Sequence, residues 1–475
     1  MTNLFFCSYT DNESFGNGSK NNLKGVTMKR TNKIVSALAA GLMMAGAAAM
    51  FTSCGEKKGA TVRFLNFKPE VTEQYKTLAA EYEKQTGVKV IVETAANNSY
   101  EQTLMSKMAT KEAPTLFQIN GPKGYARWKD YCADLKNTEL YNHLSDKSIA
   151  VTVGDGVYGI PYAIEGYGII YNKALTDKYF ALAEKATKYN SMDEINNFAK
   201  LKEVVADMQK NAEKLGVKGV FASTSLKAGE DWRWQTHLAN LPVYYEFKTN
   251  NTDLASDATN KIDFSFGDQF RNILDLYLDY SVVDRKTVGT KTVVDSMSEF
   301  ALENCIMVQN GNWAWGQIDG VSGNKVLPEN VKYLPIYTGA AGEESQGLCV
   351  GTENFFSINS TASEADQKAA ADFVYWMFSS DMGKNYVTNE FHFIAPFDTF
   401  SESERPTDPL AKEVTAWTSK PGINSVPWNF TLFPSQKFKD DFGASLLRYA
   451  QGSKEWSAVA SDVVASWAKE SASAE

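Results

Sequence analysis

Three sets of residues in this sequence could carry chemistry: a glycine run, three dispersed histidines, and a group of tryptophans with carboxylates. The stretch VGDGVYGIPYAIEGYGIIYNKAL, Val153 to Leu175, contains Gly154-x-Gly156-x-x-Gly159, the spacing of a dinucleotide-binding loop. Such a loop needs a strand before the glycines and a helix opening on them, so that the helix N-terminus can hold a pyrophosphate. Here Val157 to Tyr162 is short and apolar, Pro161 removes a backbone donor, and a strand-like pattern resumes. Ser148–Val153 and Val157–Tyr162 are therefore predicted to pair as a hairpin around Gly-Asp-Gly. His143, His237 and His392 stand far apart, and HExxH, Gly-x-Ser-x-Gly and Walker-lysine motifs are absent, so neither a metal site nor a cofactor is expected.

The third set is richer. Several of the ten tryptophans fall in loop-like contexts: Trp232 and Trp234 in GEDWRW, Trp313 and Trp315 in GNWAWG, and Trp428 in VPWNF. Flat aromatics that stack on C–H faces, beside charged and amide groups that bind hydroxyls, are what a sugar site needs. Aromatics at alternate positions also serve as core, and Trp234 and Trp315 are read that way. Trp232 follows Glu230 and Asp231 at a predicted helix start, as a ligand contact or as an exposed residue beside an Asp cap. Glu165 interrupts the apolar run IPYAIEGYGIIY, where an unpaired carboxylate is costly; a ligand contact and a structural salt bridge both account for it. Glu165 and Glu230 could also be cast as the carboxylate pair of a glycoside hydrolase, with no motif in support.

These residues need elements to hold them. The 475 residues allow two or three domains, and 43% hydrophobic content suits a well-packed chain. Strands are predicted at Thr61–Phe67, Val88–Glu93 and Thr115–Asn120, alternating with helices at Glu70–Gln85, which Gly87 stops, and Tyr100–Lys111. This β-α-β-α-β order indicates a sheet wrapped by helices, whose carboxyl-end loops bind ligands, here NFKPE (Asn66 to Glu70) and QINGP (Gln118 to Pro122). Longer helices follow at Met192–Leu215, Asp231–Tyr245, Phe266–Val282 and Ser296–Glu303. Strand-like Gly219–Thr224, Cys305–Gln309 and Val331–Ile336 run among them, and Lys248–Lys261 is a polar loop. Val350–Ile358 reads as one strand, and Glu364–Ser379, Ser435–Gln451 and Glu455–Glu470 as helices.

The N-terminus is of another class. Met28-Lys29-Arg30-Thr31-Asn32-Lys33 is a basic start, Ile34–Phe51 is uncharged, and Phe51-Thr52-Ser53-Cys54 closes it, as in a secretory signal. This ending resembles a bacterial lipoprotein signal, which implies cleavage before Cys54 and lipidation there, with Phe51 in place of the more usual Leu. An uncleaved span over Ile34–Phe51 is the alternative. Met28 is expected as the start, residues 1–27 as an upstream artefact, 28–53 as the signal and 54–59 as a tether. Residues 1–53 hold five basic and two acidic residues, so removing them takes the formal charge from −9 to −12. That charge argues against nucleic acid or an anionic membrane as main partner. Cys132, Cys305 and Cys349 lack paired short spacing and are expected as buried, inert thiols.

The motifs DGVYGIPYAIEGYGIIYNKAL, FALENCIMVQNGNWAWGQID, YLPI and VGTENFFSINSTASEADQKAAADFVYWMFSSDMGK, in this order, resemble the extracellular solute-binding proteins of carbohydrate ABC importers, the family that includes maltose-binding protein. The likeness runs from about Thr61 to the C-terminus. It implies an α/β, periplasmic-binding-protein-like fold of two discontinuous lobes joined by hinge crossings, lobe one as 60–165 plus 354–402 and lobe two as 168–350 plus 405–475. It implies a non-enzymatic, monomeric protein, lipid-anchored on the outer face of the cell membrane, with a carbohydrate ligand and an ABC permease as partners. Non-sugar solutes share the two-lobe plan. The resemblance places Trp313 on the sugar as a stacking residue, with Trp232 and Trp428 as further aromatic contacts. Glu165, Glu230, Lys68, Asn66 and Asn120 would supply polar contacts, Asn120 being an amide where relatives often carry an acid.

Overall fold

In the first strand, Thr61–Asn66, Val62 and Phe64 turn inward while Arg63 between them stays partly exposed, the period of two that a strand requires. The structure, a computed structural model, describes residues 59–473 except 96 and 255. The expected upstream segment, signal, lipidation site at Cys54 and all but the end of the tether lie outside the described residues. Among those described, the strands are β1 (Thr61–Asn66), β2 (Lys89–Thr94), β3 (Leu116–Asn120), β4 (Val151–Val153), β5 (Gly156–Pro161), β6 (Glu165–Asn172), β7 (Met307–Gly311), β8 (Val331–Leu334), β9 (Gln346–Gly351), β10 (Asn354–Ile358) and β11 (Asn424–Pro427). They form two sheets, ordered β2-β1-β3-β10-β5-β4 and β11-β9-β6-β7, with β8 also pairing β6.

The first sheet is mixed: β1 runs parallel to β2 and β3, while β10 is antiparallel to β3 and β5. Its helices stop where the chemistry dictates. Thr72–Thr86 ends at Gly87 with φ 74°, a left-handed cap that glycine adopts without a Cβ penalty, and Glu364–Ser379 starts at Ser363, whose hydroxyl accepts from Asp366 N. Phe64, Tyr75, Phe356 and Phe373 are among the side chains filling the core between sheet and helices. The second sheet centres on β6, buried along its whole length, and packs a larger core that includes Tyr167, Phe270, Phe438 and Trp467.

The chain passes repeatedly between the two lobes. β5 belongs to the first sheet and β6 to the second; β9 belongs to the second and β10 to the first. Val350–Ile358 is thus not one strand. It breaks at Thr352 and Glu353, and that break is a crossing. A further passage runs beside the β5–β6 crossing, where Ile164 N donates to Ile394 O at 2.8 Å, and continues to the helix Pro409–Thr418. That helix seats Val414 so close to β6 that a Cβ on Gly166 would lie 2.7 Å from it.

The glycine run is a hairpin. β4 and β5 pair antiparallel, and only Gly154 of its three glycines takes positive φ, at 56°. Other expectations shift. Gly219–Thr224 forms only isolated bridges at Phe221, to Ser281 and Met307. Met192–Leu215 divides into a 3-10 turn, the helix Phe198–Lys210 capped by Asn197, and the turn Ala212–Leu215. Cys132, Cys305 and Cys349 are free and buried. Burial pushes the thiols of Cys132 and Cys349 up to about 11 and about 12. Among the described residues no helix is long and apolar enough to cross a membrane.

Candidate functional site

A cavity of about 500 Å³ lies between the two lobes, lined by loops at the ends of β1, β3 and β7, by the crossings, and by Trp428 and the helix Gln436–Ala450. Seven of the eight residues singled out in the sequence line it: Lys68, Asn120, Glu165, Glu230, Trp232, Trp313 and Trp428. Asn66 does not. It is fully buried and holds the loop after β1, its Nδ2 donating to Lys68 O at 2.7 Å and its Oδ1 accepting from Lys68 N at 3.0 Å. Asn66 is therefore a positioning residue for Lys68.

The second lobe presents an aromatic wall. Trp232 and Trp313 lie 6.1 Å apart between ring centroids, and Trp313 meets Trp428 edge-on at 6.5 Å. His237 fills the space among them, 5.3 Å from Trp313 and stacked on Tyr167 at 4.5 Å. Two strand-end glycines make room for the indoles. A Cβ on Gly311 would lie 2.2 Å from the Trp313 ring, and one on Gly351 2.6 Å from Trp428 Cγ. Asn240, fully buried, accepts from Asn429 N and donates to Pro427 O at 3.0 Å, gripping the backbone on both sides of Trp428.

Trp232 precedes, and His237 lies within, a π-helical turn, Arg233–Leu238, that replaces the predicted regular helix at this point. Such turns are rare and recur at functional sites. Buried Arg233 ties this one to β7, its Nη1 donating to Gln309 O at 2.9 Å, while Gln309 Nε2 returns a bond to Arg233 O at 2.8 Å. Trp234 and Trp315 are buried core residues. Burial, with the nearby charges of Lys439, Lys68 and Arg233, holds the His237 pKa well below the ordinary histidine value, so its ring is neutral.

Opposite lies a charged and amide wall. Lys68 Nζ forms an ion pair with Glu165 and lies 3.8 Å from Glu70 and 5.5 Å from the Trp313 ring centroid. Burial lowers the Lys68 pKa, but the charges of Glu165 and Glu70 outweigh it and leave the group above the ordinary lysine value. Burial raises Glu70 and Glu353 despite the nearby lysines, and it lowers Lys439. On the aromatic side, beside Trp232, Glu230 is partly committed, since one of its oxygens accepts from Val293 N at 3.0 Å at the start of the helix Val293–Ala301.

Several polar atoms around the cavity have no protein partner: Gln118 Nε2 and Asn120 Oδ1 on the first lobe, Gln317 Oε1 and Trp428 Nε1 on the second. Gln118 is 1% exposed, and its Oε1 accepts from Phe67 N at 2.6 Å, which turns the amide nitrogen the other way. A buried donor left unmade costs about 1–3 kcal/mol, so these atoms favour a ligand rich in hydroxyls. Among the described residues no cluster of three His, Cys, Asp or Glu could hold a metal ion. Sequence reasoning missed Glu353, His237, Gln317 and Lys439. Gln118 and Glu70 sat in the two loops it marked, and Gln118 is a polar residue inside the apolar run of β3.

Residues 77–416 match the family described as bacterial extracellular solute-binding protein. Among solved structures, the chain is similar to the solute-binding protein RafE in complex with raffinose, at 17% identity and TM-score 0.66, over 86% of this chain and 99% of that one. The apo form of RafE from Streptococcus pneumoniae aligns at 16% identity and TM-score 0.61, over 88% and 99%. A sugar transporter from Bacillus licheniformis in complex with stachyose aligns at 16% and TM-score 0.61, over 86% and 100%. At such identities the likeness is one of fold, the two-lobe plan described above. No curated protein sequence matches the chain.

Proposed function

We propose that this chain, which belongs to the bacterial extracellular solute-binding proteins, captures a mono- or oligosaccharide between its lobes and delivers it to the permease of an ABC importer. The observation that carries this reading is the pairing of an aromatic wall with an opposing wall of unpartnered buried amides and charged groups. Trp313, Trp232 and Trp428 would stack on sugar faces. Lys68, Asn120, Glu165 and the free side of Glu230 would hydrogen-bond hydroxyls, and Asn66 would fix the Lys68 loop. The raffinose and stachyose held by structural neighbours support a carbohydrate ligand by analogy of fold.

A ligand touching both walls binds the closed arrangement better than an open one and shifts the population toward it. No bond is made or broken. The protein would act as a monomer on the outer face of the membrane, anchored by lipid at Cys54. Isothermal titration of purified protein with α- and β-linked oligosaccharides, followed by chromatography of each sugar, tests this. Tight binding with intact sugar supports it. Cleavage would turn the reading to a glycoside hydrolase, and no binding would move the ligand outside carbohydrates.

A further inference from the structure

The charges on the cleft wall do not balance. Three carboxylates, Glu70, Glu165 and Glu353, act on the single ammonium of Lys68. Lys439, on the helix Gln436–Ala450, is the other cation lining the cavity. Glu230 lines it too, but it accepts from Val293 N at 3.0 Å and interacts with the charge of buried Arg233. Glu101 also lines the cavity, but its Oε2 already accepts from Trp128 Nε1 at 3.0 Å and faces Arg127 at 3.4 Å. Three carboxylates thus stand against two ammonium groups in a half-enclosed space, where charges are poorly screened.

The pairing within this set is uneven. Glu165 takes the direct bond from Lys68, which leaves Glu70 at 3.8 Å. Glu353 stands on the β9–β10 crossing, and one of its oxygens accepts only from the neighbouring Asn354 amide at 3.2 Å. Beside these groups, the Asn120 and Gln317 oxygens are unpartnered acceptors, matched in number by the unpartnered donors Gln118 Nε2 and Trp428 Nε1, so the imbalance of the cleft lies in its charges. Buried, unpartnered Gln118 Nε2 marks the same cavity independently as one built for a polar ligand.

We propose that the preferred ligand is a saccharide bearing a free, protonated amino group, which the Glu70, Glu165 and Glu353 carboxylates hold, and that sugars carrying carboxylates are excluded. This rests on the carbohydrate reading above. An ammonium donates charge-assisted hydrogen bonds to these carboxylates and restores the charge balance. A uronate would add a further negative charge to the surplus.

The test is titration of purified protein with matched α- and β-1,4-linked oligomers of glucosamine, N-acetylglucosamine, glucose and galacturonic acid. For the linkage that binds, the amine form is expected to bind roughly tenfold tighter than its neutral counterparts at low salt, as one charge-assisted bond allows. That advantage should shrink at high salt, and galacturonate oligomers should not bind. Glu353→Gln, its folding checked by thermal unfolding, should lower the ratio of amine to neutral affinity. Neutral sugars binding as well as amines, or uronates binding at all, would overturn the proposal and leave the carbohydrate reading intact. Binding of none of these sugars, nor of raffinose or stachyose titrated beside them, would remove both, whereas binding of raffinose or stachyose alone would overturn the proposal and keep the carbohydrate reading.

Discussion

The two walls of the cleft are built on opposite principles. The aromatic wall is braced from behind: Trp313 over Gly311, Trp428 over Gly351, and His237 packed between them on Tyr167. The facing wall is braced by charge, through the Lys68–Glu165 ion pair and the Asn66 clamp on its loop. Close packing is additive and local, whereas a buried ion pair costs most when half of it is removed. Damage to the charged wall should therefore appear first as lost stability, and damage to the aromatic wall as lost affinity.

The largest expected effect tests that difference directly. Lys68→Met leaves Glu165 buried without its cation and should lower unfolding free energy by about 3–5 kcal/mol in urea titrations. The double variant Lys68→Met, Glu165→Gln should recover most of that loss. Unchanged stability in the single variant would show that the pair is solvated and that the walls do not differ in this respect.

Two tryptophans two residues apart sharpen the contrast. Trp315 is buried at 7% exposure, so Trp315→Ala should cost about 3–5 kcal/mol of stability, with ligand affinity kept in the folded fraction. Trp313→Ala should instead cost about 2 kcal/mol of ligand affinity, measured by calorimetry, as the loss of a central aromatic anchor, with a smaller change in stability. Gly311→Ala should resemble Trp313→Ala more weakly, because the added methyl must push the indole off its seat. If Trp313→Ala and Trp315→Ala gave the same stability loss, the aromatic wall would be core and not ligand surface.

Much of the cleft was legible because its residues break local patterns. Glu165 stands out in an apolar strand, and Trp313 follows a strand end, so each announces itself by sequence alone. Trp315 and Trp234 were readable as core on a different ground, that large aromatics at alternate positions pack inward, and both are buried. Lys439 and Glu353 carry no such mark. Lys439 sits on an amphipathic helix among other charges, and Glu353 sits at a crossing that the apolar run Val350–Ile358 conceals. Sequence periodicity reports burial against a neighbouring layer, but not a change of sheet partway along. His237 was set aside as an isolated helical histidine; only the π-turn brings it among the indoles. Asn66 shows the converse. A polar residue at a strand's carboxyl end can serve the loop instead of the ligand.

The smallest effect concerns pH and separates the walls once more. His237 is held neutral because burial depresses its folded-state pKa well below the ordinary value of 6.5. Below that value the unfolded chain takes up a proton that the folded chain refuses, so stability rises with pH there and falls on acidification. Glu70 and Glu353 act in the opposite sense. Their folded-state values are raised, so the folded chain binds protons more readily just above the ordinary carboxylate range and gains stability as pH falls through it. The aromatic wall should thus weaken first as pH drops from neutral, with a slope of at most about 1.4 kcal/mol per pH unit for one proton. His237→Phe keeps the ring stacked on Tyr167 and removes the titration, so urea unfolding of this variant should lose that slope and keep the opposing carboxylate trend. A slope that persists in His237→Phe would assign it to groups outside the aromatic wall.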